Sequence, residues 1–195
     1  QVLAINPHAE IQVFDQGFSQ ENAETFLQGV DLAIDGIDFF GIRARRAYFD
    51  EARKRSIPVI TAAPIGFGSA AYVFTSEGMS FDEYFDIEDS LDEKEMLFRF
   101  GLGLAPAMLQ RQYFRPTTID FDQHAAPSIV SGILLAASLT TTLGAKILLG
   151  KPVAIAPHSV HFDPYVEKSR CPYLPWGHRS WVRRLIRAIA RQLYL

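Results

Sequence analysis

Cysteine is nearly absent from this chain: Cys171 is the only thiol in 195 residues. An internal disulfide and a cysteine-rich zinc module are thereby excluded, and a reducing, cytoplasmic setting is expected. A strong excess of one charge is lacking too, because a net charge of −3 gives no global attraction for nucleic acid. No segment with a basic start and an apolar centre opens the given sequence. Gln1 leads directly into VLAINPHAEIQVF, an opening that implies an upstream part of the protein. Internal repeats and low-complexity linkers are missing as well. What remains has the composition of an ordinary globular protein, long enough for one domain with a true core.

The longest apolar run, residues 127–150, carries no charge before Lys146. Its length approaches that of a bilayer span. Ser128, Ser131, Ser138, Thr140, Thr141 and Thr142 interrupt it, however. A central buried helix that packs small residues closely accounts for that mixture better.

Residues 30–55 organise the rest. Leu32, Ala33 and Ile34 form a short apolar run between Asp31 and Asp35, as in a strand buried on both faces of a parallel sheet. Asp35 and Asp38 follow at its carboxyl end, then Phe39, Phe40 and Gly41. Beyond Gly41 the rhythm turns helical, with Ile42, Tyr48, Phe49 and Ala52 on one side. Asp50 with Lys54, and Glu51 with Arg55, are acid-before-base pairs at helical spacing. Two carboxylates therefore occupy a strand-to-helix turn, which is where open α/β sheets bind ligands. Such an aspartate is commonly a turn former or helix cap. It can also hold Mg²⁺ together with a ligand's phosphates.

Flanking segments extend the alternation. Residues 9–15 alternate as a strand should, and Ser19 is a suitable N-cap for a helix through residues 21–24 that ends near Gly29. Residues 57–63 and 70–75 read as strands separated by Pro64 and a glycine corner, the second of them running antiparallel. That corner, GFGSAA at residues 66–71, matches a dinucleotide fingerprint on paper. The fingerprint needs a helix immediately afterwards, and a strand pattern follows instead, so the match is a decoy. Residues 76–95 are strongly acidic, residues 96–108 have a broken helical rhythm, and residues 112–126 read as a loop. Two short strands are expected within residues 152–163.

The carboxyl-terminal part offers further chemistry. Cys171, near Lys168 and Arg170, could serve as a nucleophile if its thiol were activated. His158, His161 and His178 could join it around zinc, although the spacings match no standard pattern. Residues 180–195 form a basic amphipathic helix with Trp181, Leu185, Ile186, Ile189 and Leu193 on one side and most arginines elsewhere. Its arginines could meet an anionic membrane surface or an acidic partner. The commoner arrangement buries the apolar side on the domain and leaves the arginines in water. The division expected is residues 1–163 as the main domain and 164–195 as a divergent basic tail.

The stretch DLAIDGIDFFGIRARRAYFDEARKRSIPVITAAPIGFGSAAYVF resembles the second half of the ThiF/MoeB/HesA adenylyltransferases, bacterial relatives of ubiquitin-activating enzymes. Members show a strand ending in D-x-x-D-N, then an arginine, a helix, a proline-introduced strand and a glycine corner. Residues 1–75 match in order and spacing, and residues 127–150 with the following Lys-Pro resemble the family's later buried helix.

The resemblance implies an α/β, Rossmann-like mixed sheet with flanking helices, whose amino-terminal ATP-binding half would lie before Gln1. It implies ATP- and Mg²⁺-dependent adenylation of the C-terminal carboxylate of a ubiquitin-like or sulfur-carrier protein, by a transferase that is commonly a homodimer. By correspondence Asp38 is the catalytic aspartate and Mg²⁺ ligand, and Asp35 and Arg43 complete the cofactor-binding set. Phe39 stands where the motif has Asn, and the usual paired zinc cysteines and nucleophilic cysteine are missing. Two other readings remain open: a non-catalytic scaffold for a ubiquitin-like protein, and a Rossmann oxidoreductase with Asp35 at a cofactor ribose.

Overall fold

The structure is a computed structural model and describes residues 1–110 and 129–194. In chain order the elements are α1 (Val2–Ile5), α2 (Ala23–Phe26), β1 (Ala33–Asp35), α3 (Ile42–Lys54), β2 (Val59–Ile65), β3 (Gly68–Phe74), α4 (Phe81–Phe85), α5 (Glu93–Gly103), α6 (Val130–Leu148), β4 (Val160–Asp163), β5 (Lys168–Arg170) and α7 (Trp181–Tyr194). The strands form one sheet in sequence order. β1 and β2 are parallel, joined by the α3 crossover, and every later pairing is antiparallel. This is the mixed, Rossmann-like α/β sheet that the sequence leads one to expect.

The centre of the sheet is β3, buried along its whole length. Its alternation serves two cores at once. Ala70, Tyr72 and Phe74 face a large aromatic core shared with α3, α4 and α5, whereas Ala71 and Val73 face a smaller one under α6. In the larger core Phe49 meets Phe74 edge-on at 5.2 Å, and Phe85 meets Phe100 at 5.0 Å. Such pairs add to the burial of their area. α3 contributes Ile42, Tyr48, Phe49 and Ala52, the stripe its periodicity predicts. The glycine corner is a two-residue hairpin loop, Gly66-Phe67, with Gly66 at φ +57°. A glycine at the first loop position suits the twist of a tight hairpin.

Several expectations are corrected. Residues 9–15 belong to no strand, because no neighbouring ladder reaches them among the described residues. β1 is covered on one face only: Ala33 is buried while Ile34 is exposed. The helix near residue 22 is a short one with Asn22 instead of Ser19 at its N-cap position, and the Asn22 side chain makes no capping bond to it. Of the two strands expected in residues 152–163 only β4 forms, and β5 was not anticipated. The loop expected at residues 112–126 lies outside the described residues.

α6 is long and apolar enough to cross a membrane, yet one side of it lies on β2 and β3. There the small residues expected of it lie against the sheet: a Cβ on Gly132 would come within 2.5 Å of the Gly66 carbonyl oxygen, and one on Gly144 within 3.0 Å of Leu32. The helix is not central, however. Val130, Ile133, Leu134, Leu148 and Leu149 on its other side are exposed.

Candidate functional site at the carboxyl end of β1

The last residue of β1, Asp35, closes a compact polar knot. Its Oδ1 accepts the Ile37 amide at 3.0 Å and its Oδ2 accepts Arg45 Nε at 2.7 Å. Arg45 then donates to the carbonyl oxygens of Phe39, at 3.3 Å, and Ile37, and its guanidinium lies 4.7 Å from the centre of the Phe100 ring. Both side chains are out of solvent, Asp35 wholly and Arg45 to within 4%. The arrangement satisfies the buried charges with hydrogen bonds on every side, as a buried ion pair requires. Close by, burial and the Asp35 charge together push the Tyr48 hydroxyl up to about 12.

This knot fixes the loop of residues 36–41. Asp38 lies on it with its side chain toward solvent. One oxygen, Oδ1, accepts the Phe40 amide at 2.9 Å, an Asx turn that holds the carboxylate in place. The other has no hydrogen-bond or ion-pair partner among the described residues. Asp38 does not cap α3; Gly41 occupies that position, where a Cβ would come within 2.8 Å of the Ile37 side chain. Phe39 turns inward and stacks on Phe100 at 5.6 Å, with Gly101 leaving room for its ring.

The three residues singled out from sequence thus have different surroundings. Asp38 presents an available carboxylate oxygen at the strand-end position where open sheets bind ligands. Asp35 has its carboxylate enclosed by Arg45 and the Ile37 amide, so it supports the loop and presents nothing to a ligand. Arg43 points to the start of α5, where its Nε is 3.3 Å from Glu93 in an exposed pair, and no bond joins it to Asp38. Arg45 is the residue that sequence reading missed. Its signal was a charged residue on the apolar stripe of α3, in step with Ile42, Phe49 and Ala52.

The histidines and Cys171 near the carboxyl terminus do not come together as a metal site among the described residues. Among the described residues no group of three or more His, Cys, Asp or Glu side chains could hold a metal ion. His158 stacks on Tyr173 at 4.4 Å. His161 is buried with its Nε2 2.9 Å from Ser159 Oγ, and burial lowers its pKa to about 4. His178 is buried beside Phe85, and burial lowers its pKa to about 3. Cys171 is exposed and unpaired.

Comparison with known proteins adds to this geometry. The model of the family described as "ThiF family" matches residues 1–175. Among solved structures, the chain is similar to the crystal structure of selenomethionine PaaA, with 17% identity and a TM-score of 0.54. The match covers 88% of this chain and 52% of PaaA, so the chain spans about half the length of that protein. A search of curated protein sequences found no match.

Proposed function

Because the chain belongs to the ThiF family, we propose that it is the carboxyl-terminal part of an adenylyltransferase that activates the C-terminal carboxylate of a ubiquitin-like or sulfur-carrier protein. The observation that carries the reading is the available carboxylate oxygen of Asp38, held at the carboxyl end of β1. Mg²⁺ is usually bound by one or two carboxylates together with substrate phosphates, without a full protein cage. A single free Asp oxygen fits that mode, whereas it would not fit a structural metal site. Asp38 would hold Mg²⁺ on ATP, and the ion would screen the repulsion between two anions and stabilise the departing pyrophosphate.

The chain's other residues have supporting roles in this reading. Asp35 and Arg45 keep the loop rigid, so that the Asp38 carboxylate needs little reorganisation when the nucleotide arrives. Arg43 is near enough in sequence to assist with phosphate only after giving up Glu93, a pair exposed enough to cost little. The catalytic unit would be a homodimer, as in the relatives that the sequence resembles.

One observation favours a non-catalytic scaffold as the second reading: Phe39, in the motif's Asn position, is packed on Phe100 and offers no hydrogen bond to a nucleotide. Exchange of labelled pyrophosphate into ATP by the full-length protein, dependent on its carrier, separates the two. Exchange that disappears in Asp38→Asn supports adenylation, and its complete absence with the intact protein leaves the scaffold.

A further inference from the structure

α7 is attached with its polar side inward. Arg187 reaches Asp86 at 2.7 Å, Arg191 reaches Glu95 at 2.6 Å, and Arg183 donates to the Pro106 carbonyl at 3.1 Å. Among the described residues neither apolar core contains a residue of α7, although Ala190 is buried and Ile186 half-buried beside these arginines. The reverse of the usual amphipathic arrangement results: Trp181, Val182, Leu185 and Ile189 face solvent, with Trp181 77% exposed. Their spacing places them on one side of the helix.

Beside this row lies an open cavity lined by Arg99, Arg179, Arg184 and Arg187 with Asp86 and Glu88. Asp86 is already shared by Arg99, Arg179 and Arg187, and Glu95 holds Arg99 from its other side. Arg184 has no partner among the described residues. It stands three positions after Trp181 and three before Arg187, so it joins the apolar row to the cavity. Positive charge is in surplus at this edge, although the whole chain is acidic.

We propose that α7 lies on a phospholipid surface, with its apolar row in the interfacial layer and a lipid phosphate at the Arg184 edge of the cavity. Both halves of a phospholipid are matched, the acyl boundary by the row and the phosphate by the guanidiniums. The paired arginines fasten the helix to the body of the protein, which then sits above the membrane plane. A second copy of the chain fits less well, because it would bring the same surplus of positive charge to that edge.

The test is sedimentation of the 195-residue chain with vesicles of phosphatidylcholine, with or without phosphatidylserine. Both kinds should bind it, the anionic kind more strongly, and Trp181 emission should shift to the blue in a Trp176→Phe background. Leu185→Glu should lower partitioning by about tenfold or more, and Arg184→Gln should abolish the preference for phosphatidylserine while leaving the rest. Both side chains are exposed, so unchanged melting temperatures check that the fold is intact. Failure of the chain to sediment with either vesicle overturns the proposal, as does wild-type partitioning by Leu185→Glu. Concentration-dependent dimerisation that Leu185→Glu abolishes, without vesicle binding, assigns the row to a second copy instead. Pyrophosphate exchange is not read at any step, so this outcome is separate from that of the proposed adenylation.

Discussion

Arg45 and Asp35 form a buried ion pair, Nε to Oδ2 at 2.7 Å, that spans the end of β1 and the first turns of α3. It joins the strand to the helix and, through two backbone carbonyls, to the loop between them. The available carboxylate of Asp38 therefore stands on a loop that is fixed from beneath.

Removing one partner leaves an uncompensated charge in a dry site. Arg45→Met is expected to destabilise the chain by about 3–5 kcal/mol, read from urea unfolding. A loss below about 1 kcal/mol would mean that solvent screens the pair, contrary to its burial.

Asp38→Asn should behave in the opposite way. Asparagine keeps an oxygen to accept the Phe40 amide, so stability should change by less than about 0.5 kcal/mol. Carrier-dependent pyrophosphate exchange should nevertheless fall by at least about a hundredfold in the full-length protein. Unaltered exchange would remove Asp38 from the chemistry.

His161 and His178 predict a sensitivity to acid. Both rings stay neutral in the folded chain down to about pH 4 and about pH 3 respectively, whereas in the unfolded chain they protonate near pH 6.5. The unfolded state consequently binds more protons throughout that window. Stability is complete above pH 6.5 and declines as pH falls, by up to about 1.4 kcal/mol per pH unit for each ring. His178→Phe should flatten the decline between pH 6 and pH 4 in unfolding curves measured across that range. An unchanged slope would show that the ring is already charged in the folded chain.

Gly132 tests the seating of α6. A Cβ there would lie 2.5 Å from the Gly66 carbonyl oxygen and 3.1 Å from that of Gly68, and neither backbone group belongs to a flexible end. Gly132→Val should therefore cost about 1–3 kcal/mol and lower the melting temperature, although valine is apolar. Gly150, with open space around it but φ +62°, is a control in which only backbone strain is introduced.

Local sequence pattern was sufficient for the elements whose partners are near in the chain. α3 follows its apolar stripe, and the glycine corner between β2 and β3 is a hairpin because a strand pattern continues on both sides. Ser80 and Glu83 form a reciprocal cap on α4, a local arrangement of the kind sequence spacing can reveal. Where the reading failed, the missing information was a distant neighbour. Residues 9–15 alternate like a strand, but alternation supplies no ladder partner. In the sequence the acidic residues 76–95 and the arginine-rich tail look segregated, yet Asp86 and Glu95 are paired with Arg187 and Arg191 of the same chain. Charge on a linear chain says nothing of which groups meet after folding.

By itself the sequence determined the α/β class, the order from β1 to β3, the position of Asp38 at a strand end and the resemblance to the ThiF family. Each depends on periodicity or on residue types only a few positions apart. Tertiary structure alone decided that Asp35 is closed off by Arg45 and that α7 presents Trp181, Leu185 and Ile189 to solvent. Both outcomes are set by the low-dielectric surroundings and carboxylates that other elements bring to an arginine, and those are determined only once the helices have packed.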